Sequence, residues 1–465
     1  MIPAESFWTY SLRAAPRGAS ITRILAAAVN AVEPGKAVGR FVRRDRDTLN
    51  ISDRTYDLSA FRRVMLLGIG KAAVAMSEAL AEILCESLTA GLVITKHASA
   101  NPHFPFPILE GSHPVPDERS LLAGEKVVEF VSALGPADLL FCLISGGGSA
   151  LVTAPVEGVT LSDMQALTSD LLACGARIDE INALRRRLER IKGGGVVKMA
   201  NGATIISLIL SDVVGNPLEV IASGPTAPDP TNRADALSIL TKYGLEVHTP
   251  ASILHALCIS PETPKPEDPI FAKVQNIVVG SNLMAAQAAL KQAEEEGFHP
   301  YLLRTDLQGE ACEVALELAA FLRQAKQTSS PVQVPTCIVS GGETTVTLRQ
   351  GSPVPAALAQ AGQALRGNGS GGRNTELALA AVSELADFPG VMLVTLATDG
   401  EDGLTDAAGA VVTGESFRRA AQLGLQPGDF LTRNDSYSFF AALDDLLKPG
   451  STGTNVDDLV LLLMF

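Results

Sequence analysis

The chain has 465 residues, of which 46% are hydrophobic and 19% charged, and 41 of them are glycine. This length predicts two domains, and the composition suits an α/β protein with buried strands and glycine-rich turns, which excludes coiled coils and disordered chains. With 37 basic against 51 acidic residues, the formal net charge is −14, so we expect neither a nucleic-acid partner nor a membrane-surface partner.

The N-terminus and the cysteines bear on the cellular compartment. Arg13, Arg17 and Arg23 outnumber one early acid, Glu5, which is the character of a mitochondrial targeting segment, although an irregular start leading into the first helix is the simpler interpretation. The six cysteines form no CxxC pair, so we interpret them as reduced, mostly buried thiols. Because no apolar run is long enough to span a bilayer, we predict a cytoplasmic protein, with a mitochondrial location as the alternative.

The N-terminal half alternates apolar strands with helices. Apolar runs at 64–68, 138–145 and 204–211 predict strands that each end at a glycine or aspartate turn. The other predicted elements of this half are helices at 20–33, 71–88, 162–175 and 179–191 and a strand at 91–95. Strands that alternate with helices predict a largely parallel sheet with crossover helices on both faces.

A proline-rich stretch predicts the domain boundary. Residues 260–269 contain four prolines among charged residues, a composition typical of linkers. The alternation then restarts, with strands predicted at 276–280, 300–304, 335–340, 391–397 and 458–464 and helices at 282–296, 309–325 and 375–385. The predicted fold class is therefore α/β with two domains, 1–258 (Rossmann-like) and 259–465, each a mainly parallel sheet with helices on both faces, and with an active-site cleft between them.

Two glycine turns of the first half are candidate nucleotide or phosphate sites. In Gly68-Ile69-Gly70-Lys71 the glycines admit a close ligand and the lysine can meet a phosphate. A tight turn with a solvated lysine is an equal alternative, and the Walker A spacing is absent. Ser145-Gly146-Gly147-Gly148-Ser149 predicts an anion-binding nest with two hydroxyl donors, against the alternative of a flexible turn. Because ligands bind off the carboxyl ends of parallel strands, both placements favour an enzyme.

Further polar residues of this half have competing interpretations. Asp212 ends a strand, where a carboxylate can hold Mg²⁺ or accept a hydroxyl proton, unless it only caps a turn. Between residues 185 and 192 lie five cations, which we interpret as a solvated helix face of which one or two members reach the active site. His113, in the run HPVPDE, is interpreted as a structural loop residue.

The C-terminal half contributes two further candidates. In the run 367–376, Gly371 and Gly372 precede Arg373, and this run can order around a polyanion with the arginine clamping phosphoryl oxygens. A disordered loop is the alternative. The turn 398–406 contains four acids, which predict a cation site at Asp399, although the spacing departs from an EF-hand loop and a capped acidic turn remains the alternative.

Taken in order, these motifs resemble the glycerate kinase family, of the class distinct from P-loop kinases, with a C-terminal MOFRL-type domain. The matching segments cover roughly residues 20–460 and are LLGIGKAA, HPVPDE, LISGGGSALV, INALRRRLERIKGGG, LILSDVVGNPLEVIASGPT, SGGETTVTL, GSGGRNTELAL, ATDGEDGLTDAAGA, NDSYSFF and TGTNVDDL. Each segment alone is weak evidence, whereas the ordered set is highly specific.

The resemblance implies phosphorylation of D-glycerate by ATP with Mg²⁺, and it favours 2-phosphoglycerate over 3-phosphoglycerate as the product. It marks Lys71 and Arg373 as active residues. For such a mechanism we expect Asp212 or Asp399 to be the carboxylate for the metal, with Asp212 alternatively the base for the glycerate hydroxyl. It leaves homo-oligomerisation open. Two departures are Thr375, where glutamine is expected, and the glycine triplet 193–195, where some relatives carry arginine.

Two other classes of protein compete with this interpretation. An NAD(P)-dependent oxidoreductase, such as a hydroxypyruvate reductase, is suggested by GxG after a strand, but Ala73 occupies the third glycine position of GxGxxG. A binding or regulatory protein without activity is the second competitor. The presence of Lys71, Asp212, Arg373 and the acidic turn argues against it.

Overall fold

The computed structural model of the chain describes residues 1–98, 104–328, 333–348 and 369–465. Gly367 and Asn368 of the predicted glycine-rich run lie outside the described residues. In chain order the helices are α1 (Tyr10–Ala14), α2 (Gly18–Ala31), α3 (Pro34–Phe41), α4 (Ala73–Leu84), α5 (Glu118–Ser132), α6 (Gly148–Leu151), α7 (Leu161–Ala173), α8 (Ile178–Leu188), α9 (Gly195–Met199), α10 (Arg233–Lys242), α11 (Ala251–Ile259), α12 (Asn282–Glu295), α13 (Ala311–Thr328), α14 (Arg373–Glu384), α15 (Ser416–Gln422), α16 (Pro427–Thr432) and α17 (Ser436–Leu443). The strands are β1 (Val42–Asp45), β2 (Thr48–Ile51), β3 (Arg54–Asp57), β4 (Arg63–Ile69), β5 (Leu88–Thr95), β6 (Ile108–Glu110), β7 (Asp138–Ile144), β8 (Thr204–Leu210), β9 (Val274–Gly280), β10 (His299–Leu307), β11 (Thr336–Gly342), β12 (Val391–Ala397), β13 (Gly409–Thr413), β14 (Leu446–Leu447) and β15 (Asp458–Met464).

The chain folds into two compact units. The central unit comprises residues 34–279, and the terminal unit comprises residues 1–33 together with 280–465. These units differ from the predicted limits, 1–258 and 259–465. The N-terminal helix α2 packs against α12, so the first residues join the terminal unit, and β9 extends the sheet of the central unit beyond residue 258.

The central unit is built on a six-stranded sheet in the order β6-β5-β4-β7-β8-β9. Four of its neighbouring pairs, from β6 through β8, are parallel, which confirms the predicted parallel sheet for this half. Leu67 and Ile69 of β4 pack in one core with Val127 and Val131 of α5, whereas Gly68 faces α4 on the opposite side. The chain order reverses between β4 and β7, and this switch point is where open parallel sheets bind ligands.

The proline-rich stretch is a packed loop of the central unit and does not separate the two units. The carbonyl oxygen of Pro264 accepts a hydrogen bond from the backbone N–H of Asp229 at 2.9 Å. Thr263 donates its hydroxyl to the same aspartate at 2.8 Å, and Glu262 pairs with Arg187 at 2.5 Å. These contacts explain why a segment with linker composition is held against the fold of the central unit.

The sheet of the terminal unit is mixed, which corrects the prediction of a second mainly parallel sheet. Its order is β10-β11-β15-β12-β13-β14, and β10–β11 is parallel whereas the other four neighbouring pairs are antiparallel. The last strand, β15, inserts between β11 and β12, so Asp458 is the register partner of both Gly342 and Ala397. The carboxyl ends of β11 and β12 therefore meet the amino end of β15 at one edge.

Helices cover both faces of this second sheet. A Cβ atom placed on Gly341 would lie 1.8 Å from the side-chain oxygen of Asn282, so α12 packs directly on one face. On the other face, Ile338 packs in one core with Leu318 of α13 and Leu379 of α14. The α/β class with two domains is therefore confirmed.

Two N-terminal arginines are paired within the terminal unit. Arg23 pairs with both carboxylate oxygens of Glu296 at 2.6 Å, and Arg17 donates to the carbonyl oxygen of the same residue at 3.0 Å. Within the described ranges, no helix is both long and apolar enough to cross a membrane.

Candidate active site

The lysine turn and the glycine turn lie side by side at the switch point of the central sheet. Gly70 adopts a φ of +132°, and a Cβ atom at this position would lie 2.2 Å from the hydroxyl oxygen of Ser145, so only glycine fits here. The backbone N–H of Lys71 donates to the carbonyl oxygen of Gly146 at 3.0 Å, and the N–H of Ala72 donates to the Ser145 hydroxyl at 3.0 Å. The two predicted motifs therefore form one structure.

The glycine turn leaves backbone donors unused. Within the described residues, no acceptor is hydrogen-bonded to the backbone N–H groups of Gly146, Gly147 or Gly148. Gly147 has a φ of +83°, the left-handed conformation that lets successive N–H groups converge in a nest. The turn therefore has donors available for an anion, and phosphate binding at this turn stays a prediction.

The side chain of Lys71 lies against this turn. A Cβ atom placed on Gly147 would lie 3.4 Å from both Cγ and Cε of Lys71, so the aliphatic stem passes directly over the glycine. The residue is exposed, and in the part of the chain that the structure describes its ammonium group has no hydrogen-bond or ion-pair partner. A free cation beside free N–H groups is suited to bind an anion.

Asp212 closes the other side of the glycine turn. It follows β8, and a Cβ atom on Gly146 would lie 2.1 Å from its carboxylate oxygen Oδ2. Burial raises the pKa of this half-buried carboxyl group above its ordinary value, and the nearby charge of Lys71 opposes this rise. A carboxylate with a raised pKa is a better proton acceptor. The structure therefore brings together Lys71, Asp212 and the glycine turn, and it permits the role of Asp212 as a base.

His113 joins this group, whereas the sequence indicates a structural loop residue. It follows β6 at the carboxyl edge of the sheet, and its Cδ2 atom would lie 3.1 Å from a Cβ atom on Gly147. Burial, and then the charges of Lys71 and Lys96, lower the pKa of His113 from 6.5 to about 4. The imidazole is therefore neutral at physiological pH and can donate or accept a hydrogen bond beside the lysine.

The low pKa of His113 predicts how stability depends on pH. Between about pH 6.5 and 4 the unfolded chain binds a proton at this residue and the folded chain does not, so the free energy of unfolding should fall as the pH falls through this window. His113→Gln removes the titrating group, so the free energy of unfolding should fall less steeply with falling pH in this window. Above pH 7 the histidine is neutral in both states, so its titration contributes nothing there. Urea unfolding between pH 4 and 7 measures the free energy of unfolding of each variant. His248→Gln, at an exposed histidine, is the control. Identical pH slopes for His113→Gln and the wild type would contradict the assignment.

A pair of serine hydroxyl groups supports the glycine turn. Ser149 and Ser223 lie 2.7 Å apart through their hydroxyl oxygens, and Ser223 donates to the side-chain oxygen of Asn182 on α8 at 3.3 Å. Ala222 and Ser223 both adopt left-handed conformations, with φ of +49° and +59°. Left-handed non-glycine residues are strained and are concentrated at functional sites, so the loop 221–224 belongs with the site.

The basic cluster is mostly buried, which differs from the predicted solvated face. Arg186 is buried and pairs with the buried Asp229 at 2.7 Å, and Arg187 is buried and pairs with Glu262 at 2.5 Å. Lys192 is also buried. Of the predicted set, Arg190 is exposed. Arg186, Arg187 and Lys192 are therefore engaged in ion pairs within the central unit.

In the terminal unit, Arg373 is the first residue of α14 and is held by two carboxylates. Its Nε and Nη2 atoms donate to Asp458, the latter at 3.1 Å, and its Nη1 atom lies 2.8 Å from Glu343. Partial burial lowers the pKa of Arg373, but the charges of Asp458 and Glu343 outweigh this effect and raise the pKa well above its ordinary value. The sequence gives no sign of Asp458 as the partner, because the two residues are 85 positions apart.

The acidic turn caps the helix that carries Arg373. The carboxylate of Asp402 accepts hydrogen bonds from the backbone N–H groups of Asn374 and Thr375 at 2.9 and 2.8 Å and from the Thr375 hydroxyl at 2.7 Å. Burial raises the pKa of this carboxyl group, and these hydrogen bonds oppose the rise. Asp402 therefore anchors the start of α14. Thr375, which stands where the family resemblance leads us to expect glutamine, donates two of these hydrogen bonds.

Gly371 and Gly372 are required for the same packing. A Cβ atom on Gly371 would lie 2.1 Å from the hydroxyl oxygen of Ser436, and one on Gly372 would lie 2.4 Å from Oδ1 of Asp402. The N–H of Gly372 donates to Thr375 at 3.0 Å. This amide is therefore engaged within the helix start and is not available for the phosphate contact predicted for it.

Asp399 lies at the carboxyl end of β12, in the predicted acidic turn. Its carboxylate accepts a hydrogen bond from the N–H of Glu401 at 3.1 Å, and its carbonyl oxygen accepts one from Thr452 at 3.1 Å. Among the described residues, no group of three or more His, Cys, Asp or Glu side chains is placed to hold a metal ion. Lys71 and Asp212 belong to the central unit, and Asp399 and Arg373 belong to the terminal unit.

Two family models match separate parts of the chain. Residues 20–258 match a family model described as a domain of unknown function (DUF4147), and residues 336–458 match the MOFRL family. The chain is 40% identical over 400 residues to the D-glycerate 2-kinase of Thermotoga maritima, which covers 86% of this chain and 90% of that protein. It is 39% identical over 397 residues to an Agrobacterium vitis protein provisionally named hydroxypyruvate reductase, covering 85% and 86%. The crystal structure of a glycerate kinase from Thermotoga maritima superposes with a TM-score of 0.82 at 37% identity, covering 95% of this chain and 98% of that chain.

Proposed function

Because this chain belongs to the glycerate kinase family, we propose that it transfers the terminal phosphoryl group of ATP to D-glycerate. One observation carries the proposal at the site itself. The ammonium group of Lys71, which has no partner among the described residues, belongs to a side chain that lies against a glycine turn at the switch point of a parallel sheet. The N–H groups of this turn are likewise unused within the described part of the chain. Such a combination of cation and backbone donors suits the phosphoryl oxygens of a nucleotide.

Each residue at the central site has a role in this reaction. Lys71 neutralises negative charge on the transferring phosphoryl group, and the N–H groups of Gly146, Gly147 and Gly148 bind its oxygens. Gly68, Gly70, Ser145 and Ser149 shape the same turns. Asp212 accepts the proton of the attacking glycerate hydroxyl, which its raised pKa favours. Neutral His113 orients the substrate by a hydrogen bond.

Mg²⁺ fits the donor chemistry of the acidic residues. Carboxylate oxygens are its preferred protein ligands, and it usually takes one or two of them together with substrate phosphates. Asp399 of the terminal unit or, as the alternative to its role as the base, Asp212 of the central unit would hold it. When bound with ATP, Mg²⁺ neutralises the charge of the phosphate oxygens. Arg373 adds a guanidinium group as a further charge partner for the phosphoryl group.

The overall reaction is tested by product analysis. Incubation with ATP, Mg²⁺ and D-glycerate should release ADP, and phosphorus NMR should show 2-phosphoglycerate in preference to 3-phosphoglycerate. The absence of any phosphorylated glycerate would overturn the kinase proposal. The second candidate function is a hydroxypyruvate reductase, which is favoured only by the name of the Agrobacterium relative. NADH or NADPH oxidation with hydroxypyruvate tests it in parallel, and we expect no oxidation above background.

The two carboxylates should differ in their effects. Asp212→Asn removes the proton acceptor, so kcat should fall by about 10²–10⁴-fold, the usual contribution of a general base. Asp399→Asn should chiefly raise the Mg²⁺ concentration needed for half-maximal rate. Steady-state kinetics over a Mg²⁺ series measures both, with the exposed Glu125→Gln as control. Wild-type rates and Mg²⁺ dependence in both variants would show that the assignments are wrong.

A further inference from the structure

A second basic cavity lies in the central unit. Its volume is about 990 Å³, and cations from α8, α9 and the segment between them line it: Arg186, Arg187, Arg190, Lys192 and Lys198. One wall is the packed proline-rich loop that carries Glu262. Neither the two glycine turns nor Asp212 is among its lining residues. The cavity is therefore separate from the candidate active site.

Arg187 lines this cavity and has an unused bidentate edge beneath its surface. Its side chain is 1% exposed, and its Nη1 atom pairs with Glu262 at 2.5 Å. Its Nε and Nη2 atoms are sealed from solvent and have no hydrogen-bond partner in the part of the chain that the structure describes. These two nitrogens form the fork that binds carboxylate or phosphate oxygens in parallel. A buried donor without a partner is costly, so this edge is suited to an anion.

The remaining charges of the cavity favour an anion. Arg186 and Lys192 are already compensated by Asp229 and Glu189, at 2.7 and 2.8 Å. Arg190 and Lys198 are exposed, and within the described residues neither takes part in an ion pair. Glu157, which is also exposed, lines the same cavity, so Arg190 and Lys198 leave one net positive charge beside the arginine fork. In a chain with a net charge of −14, such a local excess of positive charge concentrates anions.

We propose that this cavity is a second binding site for a small phosphate-bearing anion, held by the Nε–Nη2 edge of Arg187 with Arg190 and Lys198 at its rim. Glu262 already places a carboxylate on the third nitrogen of the same guanidinium group. Its side chain is 44% exposed, and because the fork is sealed, an anion reaches it when the wall at Glu262 moves. Glu262 therefore competes with the incoming phosphate for Arg187.

Titration with inorganic phosphate tests the site in a Lys71→Ala background, which removes the cation of the candidate active site. Isothermal titration calorimetry should still detect one phosphate site. Arg190→Ala with Lys198→Ala should weaken it by about tenfold, since two rim charges are lost. Arg187→Lys keeps the charge and removes the fork, and it should weaken binding at least as much. Glu262→Gln should tighten binding several-fold.

Matched controls separate this site from general electrostatics. Arg43→Ala with Arg54→Ala changes the net charge equally at two exposed positions of the same unit and should leave phosphate affinity unchanged. Acetate, a single carboxylate, should bind at least about tenfold more weakly than phosphate. Loss of all phosphate binding in Lys71→Ala, or equal affinities for the rim and control variants, would overturn the site. Equal binding of acetate and phosphate would overturn the assignment of a phosphate ligand. Melting curves confirm that each variant is folded.

Discussion

Replacing Lys71 by methionine should lower kcat by about 10²–10³-fold or more, which is the usual effect of removing one preorganised donor from a developing negative charge. The stem of Lys71 lies over Gly147 through Cγ and Cε, and its ammonium group is exposed. Methionine keeps that apolar contact and removes the charge alone. Because the ammonium group makes no hydrogen bond or ion pair among the described residues, the melting temperature should stay close to that of the wild type.

The control for Lys71 is another lysine of the central unit. Lys126 is exposed on α5 and pairs with Glu129 at 2.8 Å, and exposed pairs contribute little to stability. Lys126→Met should therefore retain both turnover and stability. Steady-state kinetics with ATP and D-glycerate, combined with melting curves, compares the two variants. Near-normal kcat in folded Lys71→Met would mean that Lys71 is only a solvated residue of the turn.

Elements that depend on local sequence were predictable within a few residues. The strand predicted at 64–68 is observed as Arg63–Ile69, and the strands predicted at 391–397 and 458–464 are observed at those limits. Each is a mainly apolar run, and the first two are followed by Gly70 and Thr398, so the local pattern is sufficient. The family resemblance, carried by ordered motifs, is likewise confirmed by the relatives.

Features that depend on distant pairing were not predictable. The antiparallel position of β15 is set by its neighbours β11 and β12 and not by its own apolar sequence. The meander β1–β3 was missed because its strands are four residues long and mostly polar, with Val42, Leu49 and Ile51 buried. Short strands of this kind lack a clear hydrophobic period.

The same distinction applies to the candidate site. Lys71, the glycine turn and Asp212 each follow an apolar strand directly, and parallel pairing then brings the strand ends together. The place of His113 beside the glycine turn was missed because the strand before it, β6, has only three residues and is not evident in the sequence. The available signal was the position of this histidine, two residues beyond Gly111 in the sequence.

Arg373 contributes both to structure and to the proposed chemistry, and the two can be separated. Asp458, its partner, has a side chain that is 9% exposed, so removing the arginine leaves a buried carboxylate without its charge partner. Such a group costs about 1–3 kcal/mol. Glu343, the other partner, is 47% exposed and its loss of pairing should cost little. Stability alone therefore cannot distinguish a catalytic from a structural arginine.

A double variant makes that distinction. Arg373→Ala should lower kcat by about 10²–10³-fold and also lower the melting temperature, and Arg373→Lys should not restore turnover because the planar fork is lost. Adding Asp458→Asn to Arg373→Ala removes the uncompensated charge, so the melting temperature should recover while kcat stays low. Steady-state kinetics and melting curves on all three variants measure this. Recovery of kcat together with stability in the double variant would show that Arg373 acts only by neutralising Asp458.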